Sequence, residues 1–292
     1  MPLSLSMLQP LIALITGPVN LRRPDIPSRA LRVLGPGLLW LVLLSSAQAQ
    51  RLHFGTNVVW PGKVIEFKAP LNGRARMEAS PLGLVMSSVR GAFIAPAGLT
   101  NLLQPCPLLI VSVPSGGSAV GWMRSVTNTA LEEGWAVLAA DGPKVDVNDD
   151  TIQFGWGMLS SALDQFARTW PPARQWPVAC AGFSGGAKRS AAVGAAMMAD
   201  GWRVVGVYMG GCNEDRASLG LQLFQPGDRY KQVAFFLSNG TTDPIANPQQ
   251  GAAVADSMRR SGFRSIRVET YVGEHRQNNE HLGQALRWFR RL

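Results

Sequence analysis

The sequence predicts an α/β fold: a mostly parallel central sheet flanked by helices, with no large lid domain. Three observations carry that reading. Apolar runs of strand length alternate with helical patterns along most of the chain, as strand–helix–strand units require. One such unit holds a sharp glycine-flanked turn, Gly182-Phe183-Ser184-Gly185-Gly186, between an apolar run and a stretch rich in Ala and Met. The segment joining the run Val204–Met209 to the one starting near Val233 is too short to build a sizeable cap.

Taken in order, residues from Val64 to Pro96 read as extended (VIEFKAPL, then LVMSSVRGAFIAP), which suits an antiparallel edge ahead of the parallel core. Strands follow at Leu108–Val113 (LLIVSV), Trp135–Ala140 (WAVLAA), Pro177–Ala181, Val204–Met209, Val233–Leu237 (VAFFL) and Ser265–Val272 (SIRVETYV). Helices are expected at about Val120 to Glu133, Ile152 to Thr169, Gly185 to Asp200, Gly251 to Ser261 and Glu280 to Leu292. Gly134, Gly201 and Gly262 sit where three of them should stop, because glycine takes the left-handed backbone of a helix end without a Cβ clash. Leu219 to Phe224 forms a short amphipathic stretch. The acidic stretch Asp146-Val147-Asn148-Asp149-Asp150 lacks the glycine and distal glutamate of a calcium loop, and helix capping accounts for it.

Ser184 is the candidate nucleophile. A turn that tight leaves no room for side chains, hence the flanking glycines. It exposes the hydroxyl, and the helix N-terminus behind it favours developing negative charge. A serine hydroxyl needs a base, and the base an orienting carboxylate. The chain has three histidines. His53 precedes the domain and is expected on the surface. His275 follows a strand in the turn Gly273-Glu274-His275, where it can lean over a neighbouring elbow, whereas His281 falls where the last helix begins. His275 is therefore the candidate base. Asp243, on the loop leaving Val233–Leu237, is the candidate acid; its alternative role is a turn or capping aspartate before Pro244. Asp215 is the fallback acid, and capping of the following helix is its simpler role.

The order Ser184, Asp243, His275 is the chain order of the α/β-hydrolase superfamily. From about Val64 to Leu292 the chain resembles a compact serine esterase of that superfamily, similar to dienelactone-hydrolase-like and polyester-depolymerase-like members. Leu108–Val113 resembles the family's third strand, and Ser115-Gly116-Gly117-Ser118 the loop that supplies one oxyanion donor. Many members carry His-Gly after that strand, where this chain has Val113-Pro114. Pro114 has no N–H, so the resemblance places the oxyanion hole on Gly185 together with Ser115 or Gly116. It implies cofactor-independent hydrolysis of small-molecule or polymeric carboxylic esters, with no metal. Trp122 and Trp156 fall near loops facing the expected site; each is a candidate substrate contact, and packing against the core is the favoured role of each. A short uncapped site suits short acyl chains, roughly acetate to hexanoate, since each buried methylene adds at most about 0.8 kcal/mol and only while apolar wall lasts. Two other functions share the fold: a peptidase of prolyl-oligopeptidase type, which usually carries a large extra domain, and an exported binding protein without activity.

Residues 1–49 read as a signal peptide. Arg29 and Arg32 precede the apolar run Leu34–Leu44, and Ser45-Ser46-Ala47-Gln48-Ala49 supplies a small-x-small cleavage site after Ala49. The run is short for a membrane span and contains Pro36, so a periplasmic or secreted protein without stable membrane insertion is expected. An uncleaved anchor is the competing reading, and Met1 to Ser28 is long for the basic region of a signal, as a start codon placed too far upstream would explain. Residues 50–63 read as a linker, and 64–292 as the catalytic domain. Removing Arg22, Arg23, Arg29, Arg32 and Asp25 with the leader takes the formal charge from +9 to +6. The remaining Lys and Arg are scattered rather than clustered with aromatics, which argues against a nucleic-acid partner. Cys106, Cys180 and Cys212 show no zinc spacing. Cys180 and Cys212 should be neighbours offset along adjacent strands, which favours buried thiols over a disulfide.

Overall fold

The computed structural model describes residues 52–292; the leader and its cleavage site lie outside the described residues. The chain opens with a hairpin, β1 (His53–Phe54) and β2 (Asn57–Val58). Next come β3 (Val64–Pro70), α1 (Gly73–Ala79), β4 (Ser88–Ile94), β5 (Leu108–Val111), α2 (Ala119–Glu132), β6 (Ala136–Ala140) and α3 (Ile152–Thr169). Then follow β7 (Val178–Phe183), α4 (Gly185–Ala199), β8 (Val204–Gly210), α5 (Arg216–Phe224), β9 (Ala234–Gly240), α6 (Pro248–Arg260), β10 (Ser265–Tyr271) and α7 (Asn279–Phe289).

Eight strands form one sheet in the order β10-β9-β8-β7-β5-β6-β4-β3. The pairs from β10 to β6 are parallel, while β4 runs antiparallel to both β6 and β3. The expected antiparallel edge and parallel core are both present. Every residue of β5, β6, β8 and β9 is buried, as a parallel sheet covered on both faces requires. The strand order turns back at β5, which has β6 on one side and β7 on the other. Loops leaving the C-terminal ends of strands diverge at such a point, and an open crevice forms there.

The helices begin and end as the sequence suggests. Gly134, Gly201 and Gly262 take φ values of 75°, 84° and 96° just past α2, α4 and α6. A polar side chain caps the N-terminus of six helices: Asn72, Ser118, Thr151, Asp215, Asn247 and Asn278 each accept a first-turn N–H. Such a cap contributes about 1 kcal/mol. Among the described α-helices only α4 lacks one, for its cap residue Ser184 makes no such bond. That hydroxyl is left free.

Four sequence expectations change. Residues 52–63 belong to the domain rather than to a linker: Phe54 is buried with its ring 5.0–6.0 Å from Phe67, Phe93, Phe166 and Trp170, and Trp170 Nε1 donates to the His53 carbonyl at 2.8 Å. Burying one such ring stabilises the fold by about 1.5–3 kcal/mol, enough to hold the hairpin down. The stretch read as continuously extended between Val64 and Pro96 contains α1, which Asn72 starts and which packs its buried Ala75 and Ala79 inward. Thr151, and not the acidic run, caps α3; Asp150 turns inward instead. The segment after β8 forms a full helix, α5, whose Gly220 backbone lies against Ala192 and Ala195 of α4. It is part of the helical layer, so no cap covers the crevice from there. All three cysteines are buried free thiols.

Candidate active site

β7 delivers Ser184 to the crevice. Its N–H is held by the Gly210 carbonyl at 2.8 Å, and its backbone sits at φ 55°, ψ −121°. Non-glycine residues avoid that conformation, which stores about 1–3 kcal/mol when surrounding structure enforces it. The enforcement is visible at Gly182: a Cβ there would lie 2.1 Å from the Gly186 carbonyl oxygen. The elbow is thus folded so tightly that only glycine fits at Gly182, while the space in front of Gly185 is open. Ser184 is partly exposed at the head of α4, with the positive end of the helix dipole beneath it.

The structure brings His275 and Asp243 together. His275 Nδ1 lies 2.7 Å from Asp243 Oδ2, and the side chains are 16% and 0% exposed. A carboxylate only accepts, so the Nδ1 hydrogen donates to it, and in the neutral ring Nε2 is left as the bare acceptor. Nε2 is buried and has no partner within the protein. The imidazole packs at a tilt of 43° against Phe183, the residue before Ser184, with ring centroids 4.6 Å apart, and Gly211 lies against both rings. His275 is thus packed against the residue that precedes Ser184, with Nε2 making no hydrogen bond to the Ser184 hydroxyl.

Asp243 is fixed from below. Its Oδ1 accepts the N–H groups of Ile245 and Ala246, both at 2.8 Å. Burial alone would raise its pKa, but the Ala246 N–H, the His275 bond and the Ile245 N–H outweigh burial and hold the carboxyl below its usual range. The two loops are laced together by Thr241 N–H to the Tyr271 carbonyl (2.8 Å) and Thr242 N–H to the Gly273 carbonyl (3.0 Å). The Tyr271 hydroxyl lies 3.0 and 2.5 Å from the carbonyls of Glu274 and Arg276, so it pins the residues on either side of His275. The remaining candidates fall elsewhere. His281 is buried in the first turn of α7, with Nδ1 2.9 Å from Ser238 Oγ, and Asp215 caps α5 and binds the Ser218 and Ser257 hydroxyls.

The expected oxyanion loop departs from the reading at Gly116. Its N–H donates to the Gly142 carbonyl at 2.7 Å and is unavailable to a ligand. The Ser115 N–H points at Asp150 Oδ2 across a longer 3.4 Å, while the Ser115 hydroxyl binds Val145 and Pro143. Gly185 heads α4, where first-turn N–H groups have no intrahelical acceptor. Trp156 is also corrected: it is 1% exposed, packed in the core with Arg74 5.3 Å over its ring, because α3 lies flat against α1. Trp122 is half-buried and lines a cleft with Phe183 and Gln277.

Sequence reasoning passed over Arg189, Asp150 and Tyr271. Arg189 lies on α4 beyond the elbow. Its Nη2 is 2.5 Å from Asp150 Oδ2, and its Nη1 donates to the Val113 carbonyl at 2.9 Å. One side chain thus ties α4, the helix that starts behind Ser184, to the loops that follow β5 and β6. The local signal was weak, an Arg in an Ala-rich helix facing an acidic loop.

No family model matches this sequence, and no curated protein matches it. Solved structures match in fold. An esterase from Pyrobaculum calidifontis is 12% identical with a TM-score of 0.55, covering 86% of this chain and 89% of its own. A ferulic acid esterase is 15% identical with a TM-score of 0.53, over 80% of this chain and 99% of its own. XC6422 from Xanthomonas campestris, a serine hydrolase of the α/β class without a lid, is 18% identical with a TM-score of 0.51, over 80% and 97%. The chain has the α/β-hydrolase fold.

Proposed function

We propose that the protein is a serine hydrolase of carboxylic esters that works through an acyl-enzyme. One observation carries the reading: an Asp243-bound imidazole with a bare, buried Nε2 packs against Phe183, the neighbour of a strained serine whose hydroxyl caps nothing. Ser184 attacks the ester carbonyl as His275 Nε2 takes its proton, and Asp243 steadies the imidazolium. The Gly185 N–H stabilises the oxyanion. Ser115 N–H is the second donor and must exchange its long bond to Asp150 for the developing charge; Arg189 already balances that carboxylate. His275 then protonates the departing alkoxide and activates water for deacylation. No metal or cofactor takes part in this sequence of steps.

The named esterases of the same fold support ester hydrolysis as the chemistry. Export through residues 1–49, with cleavage after Ala49 and release to the periplasm or medium, is part of the same proposal and rests on the basic, apolar and small-residue order of that segment. Chromogenic esters from acetate to decanoate, with a peptide amide alongside, test the reaction. Activity should peak at short acyl chains with the amide left intact. Cleavage of the amide at a rate comparable to the esters would replace the esterase reading with a peptidase.

A further inference from the structure

The Ser184 elbow stands between two open clefts of different chemistry. One is walled by Trp122, Phe183 and Gln277. The other starts at Gly185 and runs past Lys188 to Arg216, Leu219 and Leu223, with Ile152 across from them. Proton transfer decides which half of an ester each one receives. The departing alkoxide must meet His275, and His275, two residues before Gln277, rests on Phe183. The alcohol half therefore occupies the Trp122–Phe183 cleft, and the acyl chain, on the other side of the carbonyl, the Gly185 cleft.

Charge in the acyl cleft is unbalanced. Lys188 Nζ lies 3.2 Å from Glu214 Oε2 and Arg216 Nε 2.6 Å from Glu214 Oε1, so two cations share one carboxylate. The other carboxylate on the cleft, Asp150, is matched by Arg189. Asp215, next to Arg216, spends its carboxylate on the Ser218 and Ser257 hydroxyls, so Lys188 and Arg216 share positive charge that is in direct contact with Glu214 alone. It is within reach of a ligand, since the Lys188 and Arg216 side chains are 33% and 34% exposed. Beside it, Leu219 and Leu223 follow Arg216 at helical spacing along one face of α5, and Leu223 is 42% exposed. An apolar wall therefore lies beside the positive charge that borders the cleft next to the Ser184 elbow.

We propose that this cleft is an acyl subsite for esters whose acid half ends in a carboxylate, that is, half-esters of dicarboxylic acids. The inference rests on the ester-hydrolase reading of Ser184. The apolar spacer lies along Leu219 and Ile152, and the terminal carboxylate takes up the charge that Glu214 leaves unpaired on Lys188 and Arg216. Surface pairing of this kind is modest and salt-screened, so a preference of about three- to fivefold is expected at low ionic strength.

The test compares 4-nitrophenyl half-esters of succinate, glutarate and adipate with neutral 4-nitrophenyl esters of equal chain length. The readout is the ratio of kcat/KM for half-ester over neutral ester within each variant. In the wild-type protein the best half-ester should exceed its neutral partner about three- to fivefold, and 0.5 M salt should erase most of that. Glu214→Gln frees both cations and should raise the ratio; Lys188→Gln and Arg216→Gln should lower it to about one. The opposing directions keep the test decisive even if one variant fails to fold. Ester hydrolysis with a ratio at or below one that Glu214→Gln does not raise would overturn the subsite. Absence of hydrolysis for every ester would instead overturn the reading of Ser184.

Discussion

Arg189 and Asp150 form an ion pair, Nη2 to Oδ2 at 2.5 Å, that couples α4, the helix behind Ser184, to the loop before α3. The same guanidinium holds the Val113 carbonyl, and the same carboxylate oxygen faces the Ser115 N–H. Both side chains are largely enclosed, at 12% and 19% exposure. Losing one partner leaves the other poorly solvated and unmatched, which for this partly wet pair costs about 1–3 kcal/mol, below the range for full burial. Arg189→Met should therefore lower the urea midpoint and reduce kcat by about tenfold, since an unbalanced carboxylate then opposes the oxyanion. Adding Asp150→Asn should restore part of both. A double-mutant cycle that shows plain additivity would mean that the pair does not act as a unit.

The conformation of Ser184 gives a stability prediction independent of chemistry. At φ 55°, ψ −121° the residue is strained by about 1–3 kcal/mol. Glycine relieves that strain, at an entropic cost of roughly 0.5–1 kcal/mol. Both Ser184→Ala and Ser184→Gly should lose activity, but the glycine variant should be the more stable of the two by about 1 kcal/mol. Equal unfolding midpoints would show that the elbow is unstrained.

Much of this architecture was legible in the sequence, and the reasons differ by element. Buried parallel strands such as Val204–Gly210 and Ala234–Gly240 announce themselves as unbroken apolar runs, and Gly201 and Gly262 mark helix ends through a backbone that other residues avoid. The serine, the acid and the base sit at strand ends, where position along the chain already restricts geometry. What was missed depends on contacts between distant segments. Phe54 reads as a lone aromatic until Phe93, Phe166 and Trp170 surround it, and α1 has only Asn72 to signal its start. Gly116 and Ser115 could be placed in the right loop, but which N–H is free depends on where Gly142 and Asp150 lie.

Asp243 should govern both rate and acid stability. Asp243→Asn removes the carboxylate that fixes the His275 tautomer and should lower kcat by about 10⁴-fold. Because the native environment lowers the Asp243 pKa, the folded state binds its proton less readily than the unfolded chain. That stabilisation is complete above the unfolded value near pH 3.9 and is lost as pH falls through the lower native value. Wild-type stability should therefore drop more steeply below about pH 4 than that of Asp243→Asn. Parallel acid-unfolding curves for the two proteins would contradict the assignment.

His281 titrates with its own sign. Burial lowers its pKa and outweighs Glu269 and Glu280, which oppose it, so the folded state takes up less readily a proton that the unfolded chain accepts below about pH 6.5. Its contribution is complete above that value and declines as pH falls towards the native one. His281→Gln should flatten the loss of stability as pH falls below about 6.5 while leaving most of the turnover intact. A variant as inactive as His275→Ala would mean that the bond to Ser238 serves the chemistry.

The reading of Ser184 as an activated nucleophile is tested most directly by covalent capture. Incubation with a fluorophosphonate, followed by proteolysis and mass spectrometry, should place a single adduct on the peptide containing Ser184. Labelling should slow by several orders of magnitude in His275→Ala and vanish in Ser184→Ala. An adduct that persists undiminished in Ser184→Ala, or that forms equally fast without His275, would contradict the account.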